Sequence, residues 1–164
     1  MKKIFKHAES FRLFNEYEQA KPLYLQLDKP DNYNIKYKIG ICNLNIIGEK
    51  RNAIPYLELS VKNSSFDSHN TSYKEKRAPL DSYFFLAKAY MINNEPEKAL
   101  NTLETFKKLA KDSEIKEGLE NYNYIDQQIQ ACKNSMRNQL TPFGFSKKRL
   151  GPGFSKASIN ENPA

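Results

Sequence analysis

Apolar positions between Leu80 and Lys108 fall into two stripes at helical spacing. Tyr83, Leu86, Ala87 and Tyr90 recur at i, i+3, i+4 and i+7, which makes one face of a helix. Ala99, Leu103 and Phe106 make the matching face of a second helix. Between them lies Asn94-Glu95-Pro96-Glu97. Asn94 is expected to cap the second helix, Pro96 suits its first turn, and Glu97 stands three residues past the cap. The pattern predicts a helix, a tight turn and a second helix. Small residues, Ala87 and Ala99, sit where the two helices approach most closely, with Tyr90, Leu103 and Phe106 around them.

The same arrangement recurs upstream. Residues 1–31 place Phe5, Ala8, Phe11 and Phe14 on one helix and Ala20, Tyr24 and Leu27 on the next, with a turn at Asn15-Glu16 and Pro30 closing the unit. Residues 32–61 offer Ile39-Gly40 and Asn43-Leu44, a turn at Gly48-Glu49-Lys50, then Ala53, Leu57 and Ser60. This middle copy is shifted by one residue across its turn and carries Pro55 early in its second helix. Gly40 costs helix propensity, about 1 kcal/mol against alanine, which close approach of a neighbouring helix explains. With small residues facing one another inside aromatic surroundings, the three copies resemble the tetratricopeptide repeat, a helix–turn–helix unit of about 34 residues. The resemblance implies an all-α fold: a right-handed superhelix of three hairpins at about 1–31, 32–61 and 79–111.

Residues 62–78 break the spacing. Ser, Asn, Asp and Thr cluster there without apolar periodicity, so a loop is expected, with Thr71–Arg77 as a candidate helical extension. Insertions at repeat junctions are either tolerated surface loops or carriers of binding residues. From 114 to 138, Ile115, Leu119, Tyr122, Ile125, Ile129, Cys132 and Met136 predict one long amphipathic helix, which would cover the apolar face left open by the last hairpin. Residues 139–164, rich in Pro and Gly, are expected to form an extended tail.

Charge adds a second line of thought. The chain carries a formal +7, which invites an anionic partner. Five basic residues (Arg137, Lys147, Lys148, Arg149, Lys156) against the single acid Glu161 place much of that excess at the C-terminal end, while the repeats carry mixed charges. Specific nucleic-acid binding is therefore not favoured, and binding of the tail to an anionic surface, nucleic acid or lipid, stands as the alternative function. No apolar run is long enough to span a membrane. The basic opening MKKIFKHAESF lacks the apolar core of a signal peptide. Either the protein is cytoplasmic or a signal has been removed.

The string Arg149-Leu150-Gly151-Pro152, followed by Ile159-Asn160 and Glu161-Asn162-Pro163, resembles the stretch that opens a WD-like β-propeller in a family of Bacteroidetes envelope proteins. In that family, three tetratricopeptide-like repeats precede the propeller, and some members add an OmpA-like domain. The family spaces Leu-Gly and Ile-Asn more closely than this chain does. The resemblance implies a fragment of a larger exported protein, periplasmic or outer-membrane associated, of the gliding-motility or type IX secretion kind.

Catalytic patterns are missing. The chain contains no GxSxG, HExxH, GxxxxGK[ST] or GxGxxG, and His7 and His69 stand apart from any acid and nucleophile at a recognisable spacing. Cys42 and Cys132 lie on apolar helix faces. Buried reduced thiols are the default there, and a disulfide remains open in an oxidising compartment. No cofactor or metal is expected, nor an enzymatic activity, although an active site completed by a downstream domain is a third reading. The expected site is a groove along the first helix of each hairpin, lined by Phe5, Glu9 and Arg12, by Tyr37, Ile41 and Asn45, and by Phe84, Lys88 and Met91. Such a mixture suits a protein or peptide ligand, or the chain's own tail. The competing reading packs Phe5 and Ile41 against the adjacent repeat. The tetratricopeptide subfamily that grips C-terminal carboxylates uses Lys and Asn where this chain has Phe5 and Glu9, so that mode is not expected.

Overall fold

The computed structural model describes residues 1–112 and 124–140. Among them are seven α-helices: α1 (Lys2–Leu13), α2 (Tyr17–Leu25), α3 (Tyr33–Asn45), α4 (Ala53–Ser60), α5 (Ser82–Ile92), α6 (Pro96–Asp112) and α7 (Ile125–Leu140). The fold is all-α, and each helix packs on the next in sequence. The small residues do what their size suggests. Ala8 and Ala20 are fully buried in the first hairpin, and Ala87 and Ala99 are buried in the third. In the second, a Cβ on Gly40 would stand 2.6 Å from Leu57 Cγ of α4, so the absent side chain is what lets α3 and α4 meet.

The turns depart from expectation. Asn94 does not cap α6. It ends α5 in the left-handed region, with φ of 61°, and Asn15 ends α1 in the same way with φ of 61°. In both turns the following residue donates its N–H five residues back, Glu16 to the Phe11 carbonyl and Glu95 to the Tyr90 carbonyl, each at 2.9 Å. Asn15 donates to Arg12 and Asn94 to Met91, both at 3.1 Å. This is the Schellman closure, and asparagine tolerates its left-handed residue better than other side chains except glycine. The first carbonyls of α2 and α6 belong instead to Glu16 and Glu95. The middle turn is built differently, with Gly48 at φ of 83° and a short 3₁₀ turn over Lys50–Asn52.

Residues 62–78 form an anchored loop, and the candidate helix at 71–77 is absent. A two-residue parallel ladder, β1 (Ser64–Ser65) with β2 (Ala78–Pro79), pinches its base. Buried Asn34 at the start of α3 donates its amide to the Asn70 carbonyl at 3.1 Å, and its backbone N–H to the Lys76 carbonyl at 2.9 Å. Arg77 bonds both Glu75 and Asp67. Ser68, one of the serines that abolish helical periodicity, also helps fix the loop by donating its hydroxyl to the Arg77 carbonyl at 2.7 Å.

Helix α7 lies on α6, burying Ile125 and Cys132, with Lys107 paired to Asp126 at 2.5 Å. It runs to Leu140, two residues into the expected tail. The expected helical start at 114–123, with Ile115, Leu119 and Tyr122, lies outside the described residues, as does the tail from 141. Cys42 and Cys132 are both free and buried. Burial pushes the Cys42 thiol up to about 12, so it is protonated and inert at neutral pH.

Candidate binding groove

Residues of α1, α3 and α5, the first helices of the three hairpins, line a common pocket of about 490 Å³. Five of the nine expected groove residues meet in it: Arg12, Tyr37, Ile41, Asn45 and Lys88. Asn45 and Lys88 are exposed, Arg12 and Tyr37 are half-buried, and Ile41 forms part of the floor. The size falls within the range of ligand sites in general.

The other four are placed elsewhere. Phe5 is 3% exposed and meets the Tyr24 ring edge-on at 6.4 Å, so it belongs to the core of the first hairpin. Glu9 points inward and serves as an electrostatic joint. It receives Lys38 Nζ at 2.8 Å and Arg12 Nη2 at 3.1 Å, and the Tyr24 hydroxyl donates to it. Phe84 and Met91 turn toward the C-terminal side of α5. With Lys88 and Gln128 of α7 they border a smaller recess of about 180 Å³, and Met91 Sδ lies 3.4 Å from Cys132 Sγ. The wheel placed Phe84 and Met91 in the groove because nothing in α5 alone says which side α7 will cover.

The structure adds residues that periodicity does not mark. Tyr17 joins the wall and Leu44 the floor, Phe85 stands against Tyr37 with ring centroids 5.9 Å apart, and Asp81 and Asn70 complete the lining. Asn70 comes from the inserted loop, 25 or more residues from its groove neighbours in α3. Its spacing carried no signal; only the anchoring of the loop by Asn34 brings it in.

The joint beneath the groove is strongly polarised. Burial pushes the Glu9 carboxyl up, but the Lys38 charge and the hydrogen bonds from Arg12, Lys38 and Tyr24 outweigh it and hold it below the ordinary carboxylate value. Burial pulls the Lys38 ammonium down to about 8 against the opposing attraction of Glu9. Lys38 is 1% exposed, and its ammonium also lies 5.5 Å from the Phe5 ring centroid. These groups are consumed by one another and stiffen the contact of α1 with α3.

What remains open to a ligand is a mixed surface: the Lys88 ammonium, the Asn45 and Asn70 amides, and an apolar floor of Ile41, Leu44 and Phe85. Among the described residues, no histidine, cysteine or serine lines it. His7 stacks on Phe11 and His69 bonds within the inserted loop. Among the described residues, no group of three His, Cys, Asp or Glu side chains could hold a metal ion, and no helix is long and apolar enough to cross a membrane. Comparison with protein-family models, with curated proteins and with solved structures finds no match to this chain.

Proposed function

We propose that this chain is a tetratricopeptide-type repeat module that binds a protein or peptide, without catalysis, in the groove along α1, α3 and α5. The observation that carries the reading is the shared pocket, to which the first helix of every hairpin contributes. Three further features support the superhelical arrangement: buried small residues at each hairpin contact, consecutive packing of the helices, and the repeated Asn turn. The apolar floor anchors one or two side chains of the ligand, and the amides of Asn45 and Asn70 meet its backbone. The setting proposed with this function is a bacterial envelope assembly, on the tail string at 149–163 alone.

The test uses the full chain, immobilised and exposed to extract of the cells it comes from. Asn45→Arg and Lys88→Glu alter exposed groove positions, while Lys108→Glu alters an exposed position on α6. A protein retained by the parent and by Lys108→Glu but lost from both groove variants is the expected result. Retention of the same proteins by all variants, or of none by the parent, overturns the reading.

A further inference from the structure

The inserted loop has a second side. Asn70 borders the groove, but Thr71–Lys76 face the first turns of α1 and the start of α3, where two adjoining hollows of about 220 and 270 Å³ lie. Both are lined by Phe5, Tyr73 and Lys74, so they form one elongated cleft. Its floor is apolar and rigid: Phe5, Leu27 and Ile35 are 3%, 8% and 2% exposed. Its rim is basic, carrying Lys2, Lys6, Lys29, Lys74 and Lys76. Of these, only Lys76 has a carboxylate partner among the described residues, the exposed Asp31. Like charges gathered round a hollow repel one another and create a positive potential that is relieved by an anion.

We propose that this cleft is a second binding site, separate from the groove, for an acidic peptide segment of a partner protein. Carboxylates of the segment sit on the lysine rim, and an aliphatic or aromatic side chain between them enters the Phe5–Leu27–Ile35 floor. The chemistry favours a peptide over a nucleic acid. Among the described residues, no arginine lines the cleft to grip phosphate in the two-pronged manner. Among the described residues, Tyr73, 39% exposed, is the one accessible ring at the cleft, too few for a stacking track. The chain's own tail is excluded by charge, since beyond 140 it carries four basic residues and one acid. The groove and the cleft are independent: Arg12 and Lys6 stand six residues apart on α1, about 9 Å along its axis, and the loop separates them.

Fluorescence anisotropy on the full chain decides the matter, with the labelled peptide Asp-Glu-Leu-Glu-Glu-Phe-Glu-Asp as probe. Binding is expected to weaken as salt rises. The double reversal Lys29→Glu with Lys74→Glu, at two exposed positions, is expected to weaken it about tenfold or more, with the circular dichroism spectrum unchanged. Lys88→Glu in the groove is expected to leave it intact. Replacing Leu and Phe of the probe by Ser is expected to weaken it several-fold, because the floor loses its occupant. The proposal fails if the probe does not bind, if the double reversal binds it as well as the parent, or if the Ser probe binds equally. It fails also if an oligothymidylate of equal charge binds more tightly than the peptide.

Discussion

Glu9 joins the first two hairpins through a carboxylate that meets Lys38, Arg12 and Tyr24. Its pKa in the fold lies below the unfolded value, so the folded state binds fewer protons. That contribution is complete above about 4.3, the ordinary glutamate value, and is lost as pH falls through the lower folded-state value. Chemical denaturation measured across the acid range is expected to show stability falling as Glu9 protonates. Glu9→Gln is expected to cost about 3 kcal/mol at neutral pH, because the buried Lys38 charge loses its carboxylate, and to flatten the acid dependence. An unchanged acid slope in Glu9→Gln would remove Glu9 from this role. Glu9 and Lys38 come from different hairpins, so neither spacing nor composition revealed the pair. A glutamate near an arginine on a helix reads as solvated surface until its neighbour across the interface is known.

The turn asparagines act at the level of the helical hairpin. Asn15 and Asn94 close α1 and α5 with the same left-handed residue and the same pair of backbone bonds. Replacing Asn94 by Ala forces a Cβ without a local polar group into that conformation, at about 1 kcal/mol. Asn94→Gly should fall within about 0.5 kcal/mol of the parent, since glycine enters the region freely. Thermal denaturation of the two variants provides the comparison, and equal melting for Ala and Asn would show that the turn does not depend on the left-handed residue. The sequence located both turns correctly and mistook the job of the residue. Asn before Glu-Pro fits an N-cap and a left-handed helix end equally well, because both use a short polar side chain, and only the backbone angle separates them. Gly40 was the clearer case. An expensive glycine inside an apolar helix implied a close neighbour, and Leu57 is that neighbour.

Seen as a whole, the molecule is a row of hairpins whose last face must be covered. Phe106 and Ala110 of α6 are buried with Leu80 and Ile125 in one cluster, and Ile129 packs against it. A chain ending at 112 loses the α7 side of that cluster. The burial of Ile125 and its neighbours corresponds to roughly 3–5 kcal/mol, so the truncated chain is expected to unfold at lower denaturant and to bind a hydrophobic dye or self-associate. A truncated chain that melts with the parent and stays monomeric would show that α7 is not a cap. The inserted loop is the other whole-molecule feature. Its bonds to Asn34 fix one wall of the groove and one wall of the basic cleft at once, which no property of residues 62–78 taken alone announces.

Among the described residues, the sequence by itself determined where α1 to α6 and their turns fall, because period, small residues and helix breakers act within a few residues of one another. It also determined that a loop interrupts the row. The tertiary structure decided which face of each helix is free. Phe5 and Glu9 turned inward, Phe84 and Met91 turned toward α7, and Asn70 entered the groove from a distant segment. A helical wheel ranks the faces of one helix by polarity. Which of two mixed faces is covered depends on the position of a neighbour, and that is set by contacts between residues far apart in the chain.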